Sequence, residues 1–568
     1  MDVIPETIEK FKAVFTKKFI LLDSFAFLST SLEKLAESLK KSGLQKFKRL
    51  RQEFPKNYAL LAEKGVYFYD YATSFAVLKE TNLPPKDAFY NKLREENITD
   101  ADYERAHAVF KATSCRDLED YSRVYAKTDV AILCDVFENF RDLCMSYYGL
   151  DCCHYVSLPG FAWDAMLKMT GVKIDFITDL DMYTFIEDNL RGGVTTINHR
   201  HFKANNKYLE DFDESKPSTY AHYVDCNNLY GKGMELPLPT GNFQWLDRTE
   251  IEDLDILSID PDGDKCYILE VDLDYPPFLH DWHNNYPLAV RSRLISESEI
   301  SPYNQDQEFL KINNEKFKST KKLTPDLHPK SKYVCSIRTL QLFIQQGLQL
   351  KRIHRVFSAD QSNFLQPYIK FNSEKRLASA TKFESDFFKL ANNAVYGKFI
   401  ESLRNRTNVE IVKDQRTAKK LTSKPQFKGF QMLDEEVAVV QSVKKTLKLN
   451  KPIACGFVVL ENAKFIMGDF WFNTLKPMYG DRIKLLLSDT DSFIYGVETE
   501  DGYKDLHGIR HKMDLSGYDS STCLGQFHDP ANKKIPGMFS DERPLEIIQE
   551  VIALKPKMYS LLTQKLVC

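Results

Sequence analysis

Apolar residues recur at helical spacing in several stretches of the chain. Across 116–148, Leu118, Tyr121, Tyr125, Val130, Leu133, Val136 and Phe140 follow the helical period and predict one long amphipathic helix or two. Residues 30–50 predict another, with Leu32, Leu35 and Leu39 on one face and Lys46, Lys48, Arg49 and Arg51 along the exposed side. Two helical patterns joined by a turn, FLQPYIKFNSEKRLA and ESDFFKLANNAVYGKFI, fill 359–400, and a further helix is expected near 458–475. Elsewhere the period shortens. AHYVDCNNL at 221–229 and CYILEVDLDY at 266–275 read as strands, and IKLLLSDTDSFIYGV at 483–497 reads as strand, tight turn, strand. Strands and helices do not alternate regularly. The pattern therefore predicts a mixed α/β (α+β) chain with an antiparallel sheet rather than a βαβ array.

Composition narrows this picture. At roughly 100–200 residues per domain, 568 residues hold about three to five domains or subdomains, and 43% hydrophobic content supplies a sizeable core. No apolar run approaches the roughly 18 residues of a membrane span, and the start MDVIPETIEKFKAVFTKK lacks the apolar core of a secretory signal. The eleven cysteines are scattered without a CxxC pair, which predicts reduced thiols in an intracellular protein. A net charge of −3 taken alone points away from nucleic acid. That average hides a basic stretch at 404–451, from Arg404 and Arg406 through Lys413, Arg416, Lys419, Lys420, Lys424 and Lys428 to Lys444, Lys445, Lys448 and Lys451.

Three distant segments carry candidate chemistry. In Ser488-Asp489-Thr490-Asp491-Ser492, two acids sit at the tip of a strand turn, where alternation lets Asp489 and Asp491 share a face. Paired carboxylates repel unless a cation lies between them, and oxygen-only donors suit Mg2+. Asp225, ending the strand before Cys-Asn-Asn-Leu-Tyr230-Gly231, can complete such a site. Two ions about 3.5–4 Å apart would then serve an attacking and a leaving oxygen. The alternative is an ordinary Asp/Thr/Ser hairpin turn. In Lys389-Leu-Ala-Asn-Asn393-Ala-Val-Tyr396-Gly397, Lys389 and Asn393 share a helix face and Lys389 can grip phosphate as a point charge. Gly397 permits close approach of a backbone or base pair. The alternative is a plain amphipathic helix ending at Gly397.

Taken together and in this order, the segments resemble motifs A, B and C of the family B DNA polymerases, above all the protein-primed branch of viruses and Maverick/Polinton-type transposons. DCNNLYG is similar to motif A, KLANNAVYG to motif B (Kx3NSxYG) and SDTDS to motif C. Lys557-Met-Tyr559 is similar to the family's KxY, Leu190-Arg191-Gly192-Gly193 to its YxGG-type link, and Tyr125-Ala-Lys-Thr-Asp129 to its third exonuclease motif. The resemblance runs over roughly 115–560.

The resemblance implies a palm–fingers architecture with a partial RNase H-like exonuclease domain. It implies a DNA-directed DNA polymerase that uses two Mg2+ ions (or Mn2+), primer-template DNA and dNTPs, with a terminal-protein primer and no membrane. Asp225 and Asp491 would be direct metal ligands, with Asp489 an outer or alternate one and the Cys226 carbonyl a further donor. Tyr230 would exclude a 2′-hydroxyl. Lys389 would bind triphosphate, aided by Arg376 or, second, Lys370. Asn393, Tyr396 and Gly397 would line the nascent pair, Lys557 and Tyr559 hold the primer, and Gly192 and Gly193 touch the template. The expected place of action is the nucleus or the replication site of a virus or mobile element. The corresponding division is 1–160 exonuclease-like, 161–250 linker and palm with motif A, 251–355 insertion and palm, 356–403 fingers, 404–451 basic insertion, 452–545 palm with motif C, and 546–568 the start of a thumb.

Departures are mild at the motifs: LYG for LYP, and NNAVYG for NSxYG. They are larger at the ends. The family's proofreading exonuclease needs a DxE carboxylate pair and a further Asp before Tyr125 and Asp129; no convincing candidate for either stands there, which predicts no 3′–5′ exonuclease activity, and Asp23 reads as structural. Only nine residues follow Tyr559, so the chain reads as a polymerase core cut short at both ends. The alternatives are an impaired polymerase remnant that binds DNA or protein, and a metal-dependent nuclease, which would not need Lys389 or Tyr230. His280 and His283, His507 and His511, and Cys152-Cys153 lack metal-site spacing and read as structural.

Overall fold

The structure, a computed structural model, describes residues 2–7, 10–300, 302 and 319–566; part of the expected insertion at 251–355 lies outside these. The described chain is mixed α/β with antiparallel sheets, in agreement with its periodicity. It forms two compact units. One comprises Thr170–Ser373, Val395–Glu401 and Leu449–Cys568; the other comprises Met1–Met169, Glu374–Ala394 and Ser402–Lys448.

The first unit is built on a nine-stranded sheet: β1 (Thr195–Ile197), β2 (His201–Lys203), β3 (Thr219–Cys226), β4 (Ile483–Asp489), β5 (Ser492–Glu498), β6 (Met513–Asp514), β7 (Phe539–Asp541), β8 (Glu546–Lys555) and β9 (Met558–Lys565). The main path runs β6-β7-β3-β5-β4-β1, and β8 pairs with β2, β9 and, at Ile548, with Ala221 of β3. Every pairing is antiparallel except β6 with β7. The central strands are apolar on both faces, and six of the seven residues of β5 are buried. A strand covered on both sides loses the simple alternation of a half-exposed one. The helix Ile453–Phe470 supplies part of that cover. It is buried along almost its whole length, and Phe470 stacks on Phe539 at 3.7 Å. Its Val459 and Asn462 pack on the short helix Leu229–Glu235: a side chain at Gly233 would meet the Val459 carbonyl at 3.1 Å, and Asn462 Nδ2 donates to the Gly233 carbonyl at 3.0 Å. A second, four-stranded antiparallel sheet has the order Lys330–Ser336, Lys265–Asp274, Gln349–Ser362, Leu238–Trp245.

Of the segment 546–568, expected from sequence to start a thumb, residues 546–565 form a hairpin whose first strand pairs into the large sheet. Residue 356, the expected start of the fingers, lies inside the Gln349–Ser362 strand, and the helical pattern begins at Gln366.

The second unit contains the 31-residue helix Leu118–Tyr148, capped by Asp117 at one end and by the left-handed Gly149 (φ 62°) at the other. Buried Asp135 accepts from the backbone N–H groups of Arg49 and Leu50, capping the Lys48–Glu53 helix from outside. The single helix expected over 30–50 is broken at Gly43 (φ 111°) into Leu32–Lys41 and Lys48–Glu53. Val130 and Leu133, expected on the apolar face of the long helix, are exposed, while their neighbours Ala131, Ile132 and Val136 are buried. The basic stretch is ordered: Thr407–Val412, Val437–Val443 and Phe427–Asp434 form a three-stranded sheet, with the helix Gln415–Thr422 packed through Leu421 on Val412 and Val440.

Candidate active site

The acid-bearing turn is built by its own hairpin. β4 and β5 pair down to Asp489 opposite Ser492, leaving Thr490 and Asp491 at the tip. Thr490 takes a left-handed conformation (φ 63°), and the Asp491 N–H donates to the Asp489 carbonyl at 2.7 Å. The next strand brings the distant acid alongside. Asp225 of β3 lies opposite Ser492, and the Cys226 N–H donates to the Asp491 carbonyl at 2.8 Å. Two acids 266 positions apart in sequence are therefore backbone neighbours at the same end of two central strands. Their fields overlap at Cys226, whose thiol pKa is raised by burial and then by Asp225 and Asp491.

Asp489 has other partners. Thr195 Oγ1 donates to its carboxylate at 2.7 Å, and Lys557 Nζ contacts both oxygens at 2.6 and 2.8 Å. Burial would raise the Asp489 pKa, but the hydrogen bonds from Lys557 and Thr195 outweigh it and hold the carboxyl below its ordinary value. Lys557 reaches it from a tight turn between β8 and β9, where it adopts φ 63°. Among the described residues the three acids do not gather their oxygens within one metal-sized cluster; the one such group is Asp151, Cys152 and Cys153, whose Asp151 is already held by Arg141 Nε and Nη2 at 2.9 and 2.6 Å. Asp489 turns to a lysine, while Asp225 and Asp491, whose backbones meet where β3 ends and β5 begins, bring the oxygen donors that suit a hard divalent cation.

Tyr230 follows in the short helix Leu229–Glu235, whose first turn is capped by left-handed Asn228 accepting from the Gly231 N–H at 3.3 Å. A Cβ at Gly231 would meet the Asn228 side chain at 2.1 Å, so a larger residue there must displace the capping amide. The Tyr230 ring stacks on Tyr396 at 4.5 Å and 11°, and its phenol pKa is raised by burial and then by Asp491. Gly397 beside Tyr396 faces open space. Lys389 and Asn393, exposed at i and i+4 of the same Lys382–Phe399 helix, belong to the other compact unit. So does Arg376, whose half-buried guanidinium leaves Nε without a hydrogen bond among the described residues; its pKa is lowered by burial, against the pull of Asp386. Lys370 is exposed.

The link residues flank the acid turn. A Cβ at Gly193 would lie 2.4 Å from Thr490 Cγ2, whereas Gly192 faces open space. The Thr490 N–H donates to the Val194 carbonyl at 3.0 Å. The Tyr559 and Tyr223 hydroxyls hydrogen-bond at 3.1 Å. In the second unit, Asp129 is paired with Lys64 at 2.5 Å, and Lys64 also donates to the Tyr125 hydroxyl at 3.0 Å. Neither Lys64 nor Thr195 is legible in the sequence, because both act across long sequence separations without a local pattern. His283 is buried with Nδ1 bonded to the Tyr275 hydroxyl at 2.7 Å, which agrees with a structural role. Cys152 is buried, but Cys153 is exposed rather than core.

Residues 3–454 match the family model described as DNA polymerase type B, organellar and viral. The chain belongs to that family. As a type B polymerase it is a DNA-directed DNA polymerase, and its family uses divalent metal ions. The matched span includes Asp225, Tyr230, Lys389 and Tyr396 and ends before the Asp489–Asp491 turn. No curated protein sequence matches significantly. Among solved structures, this type B polymerase is similar to Phi29 DNA polymerase in an orthorhombic crystal form, at 14% identity over 99% of this chain and 72% of that one, with a TM-score of 0.49. It is also similar to Phi29 DNA polymerase complexed with primer-template DNA and incoming nucleotide, at 14% identity over 96% and 68%, with a TM-score of 0.47. No helix among the described residues is long and apolar enough to cross a membrane.

Proposed function

We propose that this type B polymerase extends a primer 3′-hydroxyl, or a protein-primer hydroxyl, with deoxynucleotides in the replication of a virus or mobile element, at a site formed by Asp225, Asp491 and Asp489. The observation that carries the reading is the β3–β5 register, which sets Asp225 opposite Ser492 and its backbone next to Asp491 where β3 ends and β5 begins. Two Mg2+ ions held there, with Mn2+ as a substitute, would activate the attacking hydroxyl and neutralise charge on the departing pyrophosphate.

The chain's own groups do the rest. Tyr230, held flat on Tyr396, closes the space a 2′-hydroxyl would need. Lys389 and Arg376, with Lys370 as the second choice for the latter's role, neutralise the triphosphate, while Asn393 and Gly397 line the nascent pair. Lys557 and Tyr559 support the primer, and Gly192, which faces open space, admits the template backbone. On this reading Lys557 exchanges its contact with Asp489 for DNA phosphate once primer binds. The large sheet corresponds to the palm, 356–403 to the fingers, and 1–160 to an exonuclease-like domain around Tyr125 and Asp129.

Mg2+-dependent extension of a DNA primer tests the proposal. Wild type should extend and Asp491→Asn should lose at least about a hundredfold in rate. Equal extension by both would remove the assigned site; extension by neither would favour a remnant that binds without catalysis.

A further inference from the structure

Charge buried beneath an active site costs stability, and an apolar replacement is often as stable or better. Glu461 is such a charge. It lies on the otherwise largely apolar helix Ile453–Phe470 with its side chain 1% exposed, and it faces two cations: Arg191 Nη2 at 3.7 Å and Lys464 Nζ at 3.3 Å. Its other oxygen accepts from the Ser336 N–H at 3.3 Å. Arg191, 7% exposed, donates to the Val334 carbonyl and lies 4.1 Å over the Tyr333 ring. Lys464 donates to the backbone carbonyl of Arg191 at 2.8 Å. Both the side chain and the main chain of Arg191 are thereby fixed.

Just beyond Arg191, every residue from 193 to 196 grips the acid turn. Gly193 abuts Thr490, the Val194 carbonyl accepts the Thr490 N–H, Thr195 Oγ1 donates to Asp489, and the Thr196 and Ser488 hydroxyls share a hydrogen bond at 3.0 Å. The segment 191–196 is therefore a strap, anchored at Arg191 by buried charge and applied from Gly193 to Thr196 against the turn that carries Asp489 and Asp491.

We propose that Arg191, Glu461 and Lys464 are positioning residues that set the Asp489–Asp491 turn through this strap. The proposal rests on the reading of that turn as the metal-holding site. Without the anchor the sheet still folds, but the strap slackens and the two acids lose their spacing. Metal use suffers first and DNA binding does not.

The test compares wild type, Lys464→Met, Glu461→Gln and Lys464→Arg in primer extension titrated with MgCl2, alongside primer-template affinity without Mg2+ and thermal unfolding. Lys464→Met and Glu461→Gln should lower the maximal rate about tenfold or more and raise the half-saturating Mg2+ severalfold, with primer-template affinity unchanged. Lys464→Arg, which keeps a donor for the Arg191 carbonyl, should recover most of the loss. Gly193→Ala, which pushes the strap off Thr490, should reproduce the metal defect, and combined with Lys464→Met it should fall no further than the worse single variant. It also serves if a charge variant fails to fold. Unaltered rate and Mg2+ dependence in folded Lys464→Met would overturn the inference, as would a loss confined to DNA affinity. Asp491→Asn separates the two levels: if it still extends, the site reading fails; if it is dead while Lys464→Met behaves as wild type, only the strap fails.

Discussion

Tyr230 is held in one place by its neighbours. Its ring lies flat on Tyr396 and its phenol sits in the field of Asp491. Tyr230→Ala should admit ribonucleotides, lowering the dNTP-to-rNTP ratio of kcat/KM by about ten- to a hundredfold; an unchanged ratio would remove it from sugar selection. His222, on the same strand as Asp225, makes a different prediction. It is buried among Tyr220, Tyr495 and Tyr503 with neither ring nitrogen hydrogen-bonded among the described residues, and burial pushes its pKa down to about 4, against a weaker pull from Asp501. Between pH 6.5 and 4 the unfolded chain takes up a proton that the folded one refuses, so stability falls as pH drops through this window. The slope is about 1.4 kcal/mol per unit at most. In urea unfolding, His222→Leu should lose less stability between about pH 7.5 and 5 than wild type; parallel losses would show that another group sets the acid limit. The acids and Tyr230 are legible in sequence because they stand in short ordered motifs. Lys64 on Asp129 and Thr195 on Asp489 are not, because an ion pair or hydrogen bond across distant positions leaves no local pattern. Lys557 is visible through its motif, while its pairing with Asp489 is not.

Elements are legible where one physical pressure dominates. The 483–498 hairpin is two apolar runs, broken only by exposed Lys484 and by the polar turn, and those runs rather than any alternation make it visible. The long helix Leu118–Tyr148 lies where its spacing predicts, but the residues facing its core are less visible: Val130 and Leu133 fit the helical period yet meet solvent. Periodicity sets a face only to within the width of what packs on it. Backbone conformation is the least visible. Nothing in DCNNLYG announces that Asn228 is left-handed, yet that turn starts the helix holding Tyr230. Gly231→Ala would drive a methyl into the Asn228 side chain and break the cap, costing about 1–2 kcal/mol, whereas Asn228→Gly keeps the left-handed turn and should cost only a few tenths. Urea unfolding of the two variants checks the order; equal costs would mean that the cap is not what holds this helix.

Across the whole molecule, a net charge of −3 says little about phosphate, because cations act where they cluster. The largest sequence-visible cluster, 404–451, proves to be a small ordered element. Leu421 packs inward on Val412 and Val440, and the opposite side of the Gln415–Thr422 helix exposes Arg416, Lys419 and Lys420. A charged face on a stable support holds its position against a DNA backbone, where a flexible lysine tail would lose ordering entropy at each phosphate. The expected result is specific to charge. Each phosphate left without its cation takes about 0.9 off the slope of log affinity against log salt. Replacing Lys419 and Lys420 together by Gln should therefore flatten the salt dependence of primer-template binding by roughly one to two units. Their exposure means that thermal unfolding should stay unchanged, since surface charges contribute little to stability. A slope equal to that of wild type would place this element away from DNA and leave the insertion's face for another partner. A flattened slope accompanied by a lower Tm would instead mean that the lysines support the fold.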